Sequence, residues 1–403
     1  MSEREFDVLI VGAGPAGAAC AIQLGQSGLS VGLFDKAIFP RDKICGDALS
    51  VDVVNQLELL SPVLSSSFRD FPSKASTPGI RIYSPDRAHI DISISIDGKC
   101  GYLSRRVDFD QLLVQHAKQF PNVHLFENCA VQKVIKHPDC ITLETPQGIF
   151  KGQIAVGADG AYSVLSRHLG TIKTERKHYS AGLRVYYEGV TLDSNFIELH
   201  FFQEALPGYV WIFPLPDHQA NVGIGVLSSV VAKGKINLKE TLQRIISTDP
   251  LLKERFKNAR PLESVKGHGL PLGSKKRVLS GDRILLVGDA ASLIDPLTGE
   301  GIANAIRSGR ISAEHIRHCF NKGDFSKSFN ASYDKEIYRR MGRELRLSSR
   351  LQRLCSYPWL INFVVNKANR NETIQRLLVE GLTKTDKKIS LVSPGFYYKL
   401  IFK

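Results

Sequence analysis

Residues 12–17 read Gly-Ala-Gly-Pro-Ala-Gly, and an acid, Asp35, follows 18 residues after Gly17. Glycines at this spacing can cradle a phosphate. Gly12 permits a tight turn, Gly14 lets the backbone approach a pyrophosphate, and Gly17 lets a helix pack on a strand. The pyrophosphate would meet the free N–H groups and the positive dipole end of the helix that starts at Pro15 and Ala16. Asp35 can accept from a ribose hydroxyl, and the adjacent Lys36 joins the candidate cofactor contacts. An acid here disfavours a 2′-phosphate, which argues against NADP at this turn and leaves FAD and NAD. Two later clusters extend the pattern. Residues 154–160, IAVGADG, read as an apolar strand ending in a turn at Asp159 and Gly160. Residues 284–289, ILLVGD, end on Asp289; Pro296 and then Gly299-Glu300-Gly301 follow, with Ile302 leading into helical spacing at Ala303, Ala305 and Ile306.

The elements that must hold these residues are legible around them. FDVLIV, residues 6–11, suits a buried parallel strand, AACAIQLGQSG a helix, and LSVGLFD a second strand. Strand, glycine turn, helix, strand and acid together make a much stronger signal than the glycines alone. The chain has 403 residues, 43% hydrophobic and 23% charged, which excludes a disordered or fibrous protein and fits two domains or one composite domain. Runs such as IRIYS, HIDISISI, AGLRVYYEGV, FIELHFF, YVWIFPLP and ANVGIGVL alternate as strands of a largely antiparallel sheet. Residues 239–256 read as one amphipathic helix. Asn221 to Gly225 holds only a G-x-G inside a strand-like run, so no second dinucleotide turn is expected.

With these motifs the chain resembles the large FAD family that includes para-hydroxybenzoate-hydroxylase-type monooxygenases and geranylgeranyl (polyprenyl) reductases, over roughly residues 5–330, and its details are most similar to the reductases. The resemblance implies that Asp289 binds the ribityl or pyrophosphate region of FAD, and that the turn at residues 299–301 presents backbone N–H groups to the flavin edge carrying N1 and O2. A helix N-terminus there would stabilise an anionic reduced flavin. The family's S-R-x-x-F-D segment maps its FAD-contacting arginine to Arg105, with Arg106 beside it, while Asp108 reads as a helix N-cap. Pro40 to Asp47 matches the reductases' P-x-x-K-x-C-G loop over the flavin; the match places Cys45 and Gly46 there, with the Cys45 thiol as a weak proton donor. Asp47 departs from the Gly-Gly form of that loop. Tyr209, Trp211 and Phe213 share one strand face and resemble the reductases' Y-x-W-x-F-P substrate wall, suited to a long apolar chain. Glu300 and Ile302 give the flavin turn a G-E-G-I form, where aromatic hydroxylases more often carry G-Q-G-x-N or G-L-G-x-N.

The implied fold is α/β: a Rossmann-like FAD-binding domain from residues 1–75, 101–175 and 266–330, an inserted largely antiparallel substrate domain from residues 76–100 and 176–265, and a basic helical segment at 331–403. Seven cysteines without a C-x-x-C pair argue against a disulfide scaffold or a zinc module, and eleven histidines without H-x-x-x-H spacing give no support to a metal site. His268 reads as a loop residue near the pocket. No basic region precedes the first apolar run, so a signal peptide is not expected, and no stretch of ~18 apolar residues suits a spanning helix. Residues 307–403 hold 20 basic and 8 acidic residues, hence +12 of the net +13. With aromatics at 357–363 and at Phe396, Tyr397, Tyr398, Ile401 and Phe402, this composition fits peripheral contact with the inner membrane surface of a cytoplasmic protein. Nucleic acid, the competing polyanion, finds no motif.

The expected function is FAD-dependent reduction of carbon–carbon double bonds in a prenylated or otherwise apolar substrate, with NAD(P)H or another donor bound transiently. Its rivals are an FAD-dependent monooxygenase or halogenase-like enzyme on an aromatic or lipid substrate, and a non-enzymatic flavoprotein that transfers electrons.

Overall fold

The computed structural model describes residues 3–93 and 98–383. Strand Glu3–Val11 lies at the centre of an eight-stranded sheet, between Gly148–Gly157 and Val31–Phe34, both parallel to it. Val123–Phe126 extends the parallel set beyond Val31–Phe34, and Ile284–Leu286 extends it beyond Gly148–Gly157. Antiparallel strands Lys133–Lys136, Ile141–Thr145 and Ser280–Gly281 complete it. Residues 8–10 are fully buried, as a parallel strand covered on both faces requires. The glycine-turn helix Pro15–Gly25 and the long helix Ile302–Lys322 pack together over this sheet.

A second eight-stranded sheet is antiparallel apart from Ile197–His200, which runs parallel to Gly79–Tyr83. Its centre is Tyr179–Glu188, Gln219–Leu227 and Tyr209–Leu215. Strand Lys266–Pro271 joins it by pairing with Tyr179–Glu188, although the sequence assigns residues from 266 onward to the nucleotide half. Three short strands, Ala48–Leu49, Gly101–Leu103 and Ala75–Thr77, form a small sheet of their own.

Residues 239–256 do not form one helix. Leu238–Thr248 ends before Pro250, which disfavours a helical Asp249; Asp249 instead turns extended and caps Pro250–Arg255 by accepting from the Leu252 N–H at 3.0 Å. The C-terminal part is helical: Lys327–Leu354, Pro358–Arg370 and Glu372–Thr383. The first of these begins inside the expected nucleotide half and closes it, for the Tyr333 hydroxyl donates to the Leu286 carbonyl at 2.7 Å. The aromatic residues at 396–402 lie outside the described residues. Among the described residues no helix is long and apolar enough to cross a membrane.

Candidate active site

The glycine turn is built by close approach. Gly12 has φ +99°, and a Cβ there would lie 2.3 Å from the Ala158 carbonyl oxygen; one on Gly17 would lie 1.8 Å from the Gly12 oxygen. Gly14 is different. Its Cβ would meet nothing closer than the end of Arg41, at 3.5 Å. It faces open space at a helix start that has no side-chain cap. Asp35, at the end of Val31–Phe34, locks the turn: its carboxylate accepts from the Ala13 and Ala37 N–H groups, both at 2.9 Å. Lone pairs remain for a further donor. Lys36 beside it is exposed. Asp159 accepts from the Val164 N–H at 2.7 Å through Oδ2, while Oδ1 is buried without a partner. Burial pushes this carboxyl up.

Arg41 approaches the turn and Arg106 joins it on a shared carboxylate; Arg105 does neither. Arg41 stands 3.8 Å from Asp35 and donates to Asp110 at 2.8 Å. Arg106 grips the same Asp110 through two 2.7 Å bonds. Burial opposes charge on Asp110, but the two guanidiniums outweigh it and bring its carboxyl below the usual range. Arg105 turns the other way, donating to Gln219 and lying 4.5 Å over the Tyr186 ring. The reason is local. Arg105 is the extended cap residue of helix Arg106–Ala117, whereas Arg106 is its first helical residue and aligns with Asp110 one turn on. Asp108 correspondingly lies in the first turn and is not the cap.

Farther along the cleft, the Lys43 amine and the Asp289 carboxylate stand 3.9 Å apart. Burial pushes the Lys43 amine down, and Asp289 opposes that. His268 belongs to strand Lys266–Pro271, paired opposite Gly182, and is not a loop residue. Its Nε2 is buried without a partner, and burial, with Lys43 adding to it, pushes the imidazole down to about 4. Asp289 also faces the last turn, since a Cβ on Gly301 would sit 3.4 Å from its Oδ1.

Residues 295–302 form a braced loop. Asp295 accepts from the Leu297 and Thr298 N–H groups at 2.9 and 3.0 Å and from the Ser348 hydroxyl at 2.6 Å; Gln352 donates to the Pro296 carbonyl at 2.6 Å. The C-terminal helix Lys327–Leu354 thus holds this loop from behind. The Ser50 hydroxyl bonds the Glu300 carboxylate. Gly301 then opens Ile302–Lys322 with no side-chain cap, leaving its first N–H groups for a ligand, and Ile302 is buried. The second sheet meets the loop directly, because the Tyr209 hydroxyl donates to the Thr298 carbonyl. Tyr209, Trp211 and Phe213 follow one another at ring distances of 6.4 and 6.2 Å. The Cys45 loop lies against them: Asn221 donates to the Cys45 carbonyl at 2.8 Å, and a Cβ on Gly46 would lie 2.8 Å from the Phe213 ring.

Gly12, Gly14, Pro15, Ala16, Gly17, Asp35, Asp159, Gly160 and Asp289 thus follow the ends of the four parallel strands Glu3–Val11, Val31–Phe34, Gly148–Gly157 and Ile284–Leu286, residues 299–302 adjoin Asp289, and Tyr209 and Trp211 of the second sheet meet the Cys45–Gly46 loop beside them. Arg105 bonds elsewhere, to Gln219, while exposed Lys36 lies near enough for its charge to add to the burial that pushes the His268 imidazole down. Arg41, Lys43, Asp47 and Asn221 belong to the arrangement without having been assigned to it. For Asn221 a signal existed: it is the one polar side chain inside the apolar run ANVGIGVL. The residues fit a flavin dinucleotide: a bare backbone at Gly14, an unoccupied lone pair on Asp35, and orphaned buried atoms on Asp159 and His268 all await a polar partner.

Comparison with known proteins agrees. The FAD-binding domain family matches residues 5–340. Digeranylgeranylglycerophospholipid reductase of Methanosarcina acetivorans is 31% identical over 354 residues, 85% of this chain and 83% of the relative. The crystal structure of a geranylgeranyl bacteriochlorophyll reductase-like protein from Thermoplasma acidophilum superimposes with a TM-score of 0.82 at 25% identity, covering 97% of this chain and 100% of that one. A halogenase solved in complex with FAD shares the fold, with a TM-score of 0.75 at 18% identity over 96% of this chain and 85% of that one. A pyrophosphate turn, an acid-tipped strand leading to an uncapped helix and a match across most of the length make this chain a member of the FAD-binding oxidoreductases, in their geranylgeranyl reductase family.

Proposed function

We propose that the protein reduces carbon–carbon double bonds of a prenylated or otherwise apolar substrate at bound FAD. The observation that carries this reading is the aromatic wall: Tyr209, Trp211 and Phe213 stand in one apolar cluster with Leu103, Ile197 and Leu215, joined by the Tyr209 hydroxyl to the loop that would meet the flavin. The first sheet serves as the nucleotide half and the second as the substrate half. The N–H groups behind Gly14, with Arg41, hold the pyrophosphate; Asp35 takes a ribose hydroxyl; Asp289 takes the ribityl region; and the backbone at 299–301 takes the ring edge. When bound, FAD supplies the hydride, and the chain's own task is to seat the alkene, exclude water and oxygen and bring a proton to the second carbon. Cys45, a free half-buried thiol on the loop against the wall, or a water beside it, would give that proton. NAD(P)H or another donor docks transiently.

The test is an anaerobic turnover. Enzyme reduced without oxygen and mixed with a lipid extract should yield products heavier by about 2 Da. Products heavier by about 16 Da, formed only in air, would replace the reductase with a monooxygenase.

The C-terminal helices support a lipid surface as the substrate's source. Tyr357, Trp359 and Phe363 are exposed, Trp359 at 66%, while Ile361, Val365 and Ala368 on the same helix are buried in an apolar cluster that also takes in Tyr209 and Leu297. Arg350, Arg353 and Arg370 lie exposed nearby in the sequence. Aromatics beside cations suit an anionic lipid surface, each cation near it contributing up to ~1 kcal/mol. Binding to anionic vesicles should fall as salt rises, and Trp359→Ala with Phe363→Ala should reduce it several-fold with FAD retained. Equal sedimentation of variant and parent with the vesicles would remove this contact.

A further inference from the structure

Asp47 follows Cys45 and Gly46 in the loop laid against the aromatic wall. Its side chain is fully buried, and its φ of +67° lies in the left-handed region, which aspartate tolerates better than most residues. Three donors converge on its carboxyl. The Tyr186 hydroxyl and the Asn221 amide donate to Oδ2 at 2.7 and 2.8 Å, and the Arg106 backbone N–H donates to Oδ1 at 3.3 Å. Asn221 passes the constraint on. The indole N–H of Trp211 can only donate, so the Asn221 oxygen must face it, at 2.9 Å. The Asn221 amino group is then committed to Asp47 and to the Cys45 carbonyl. One amide joins the wall, the loop and the carboxylate.

We propose that Asp47 is a positioning residue: as a carboxylate it fixes Asn221, and through Asn221 it holds Trp211 and the Cys45 main chain in the arrangement that receives the alkene. The alkene rests on the reductase reading above; the network does not. Facing the carboxyl are Tyr186 and Arg184 from strand Tyr179–Glu188, Asn221 from Gln219–Leu227 and Arg106 from helix Arg106–Ala117. Burial pushes Asp47 up to about 6, against the opposing pull of these four groups. Protonation would put a hydrogen on an oxygen that already faces a donor. Asn221 would then lose one of its two acceptors, keeping only the Cys45 carbonyl, and would hold Trp211 less firmly.

The chain has two tryptophans, Trp211 and Trp359, so a Trp359→Phe holoenzyme reports Trp211 alone. Its emission should titrate once near pH 6, the value to which Asp47 is raised. Below that midpoint kcat/KM for alkene reduction should fall about tenfold per pH unit, as for a single essential carboxylate. Asp47→Asn in the same background should keep FAD and lose both transitions, with kcat/KM low and flat. Tyr186→Phe removes one donor from the carboxylate and should move the midpoint to higher pH, a second reading that does not depend on Asp47→Asn folding. Flat emission from about pH 5 to about pH 8, or a pH limb that survives Asp47→Asn, would overturn the role of Asp47. Emission is read without substrate, so a clear titration in an enzyme that reduces no alkene would fault the reductase reading and leave the network standing.

Discussion

Gly14→Val should give a folded, colourless protein. Gly14 has φ −69° and ψ −175°, a conformation open to any residue, and an added Cβ would meet only the guanidinium end of Arg41, at 3.5 Å. The backbone therefore accepts the Cβ, and the loss of Gly at this N-cap costs only a modest part of the helix's stability. The branched methyl groups would, however, occupy the approach to the N–H groups of helix Pro15–Gly25, where a pyrophosphate has to sit. Hydrogen bonds to a charged group contribute about 1.5–3 kcal/mol each, so the loss of two lowers FAD affinity by a factor of at least about a hundred. Circular dichroism should match the FAD-free parent, and melting should fall only slightly below it. Gly17→Ala makes the contrast, because its Cβ would lie 1.8 Å from the Gly12 oxygen and the turn itself cannot close. That variant should lose folded protein along with flavin. Recovery of folded Gly14→Val carrying stoichiometric FAD would move the pyrophosphate away from this turn.

Arg106→Met should cost far more stability than Arg105→Met. Asp110 is fully buried, and Arg106 supplies two of the three bonds that its carboxylate receives from arginines. Breaking a buried ion pair costs about 3–5 kcal/mol when the charge is left uncompensated, and Arg41, which stays on Asp110 at 2.8 Å, should hold the loss to the low end of that range. Arg105 would give up one bond to Gln219 and its place over Tyr186, together about 1 kcal/mol. Comparing the thermal melting of the two holoenzyme variants separates the roles; equal losses would show that the two arginines share the load. The sign with pH follows from Asp110. Its folded carboxyl lies below the usual range, so the pair's stabilisation is present above the unfolded carboxyl's value and is lost as pH falls through the folded one. Without Arg106 that carboxyl rises, and acid unfolding should begin at a higher pH.

The contrast between these two neighbours shows what could be read from the chain. Gly12, Gly14, Gly17 and Asp35 stood out because backbone-to-phosphate contact leaves a strict spacing in the sequence. Strand alternation likewise marked Tyr209, Trp211 and Phe213 as one face. Arg105 and Arg106 could not be separated, since adjacent residues point apart and the helix start that decides between them is fixed with help from Arg41, 69 residues from its partner Asp110. Asp47 and Asn221 meet across 174 residues, so no local pattern could announce the pair. His268 took its place by pairing with Gly182, again a distant choice. The break at Asp249-Pro250 is the opposite case: the proline was in plain view, and amphipathic spacing on both sides masked it.

The order of the strands also gives the cleft a history. The glycine turn and its helix come from the first 25 residues, whereas strand Ile284–Leu286 and helix Ile302–Lys322, which packs on Pro15–Gly25, begin only well beyond Gly157, the helix 145 residues later. At ~5–20 residues per second, a ribosome takes roughly 7–30 s to cover that stretch. During this interval the nascent chain carries the glycine turn without Asp289, and Lys43 has not yet met its counterion. Until Ile302–Lys322 packs Gly309 against Ala16, the helix behind the glycine turn also lacks its support, so the site as a whole should be completed only when the last third of the chain has been made.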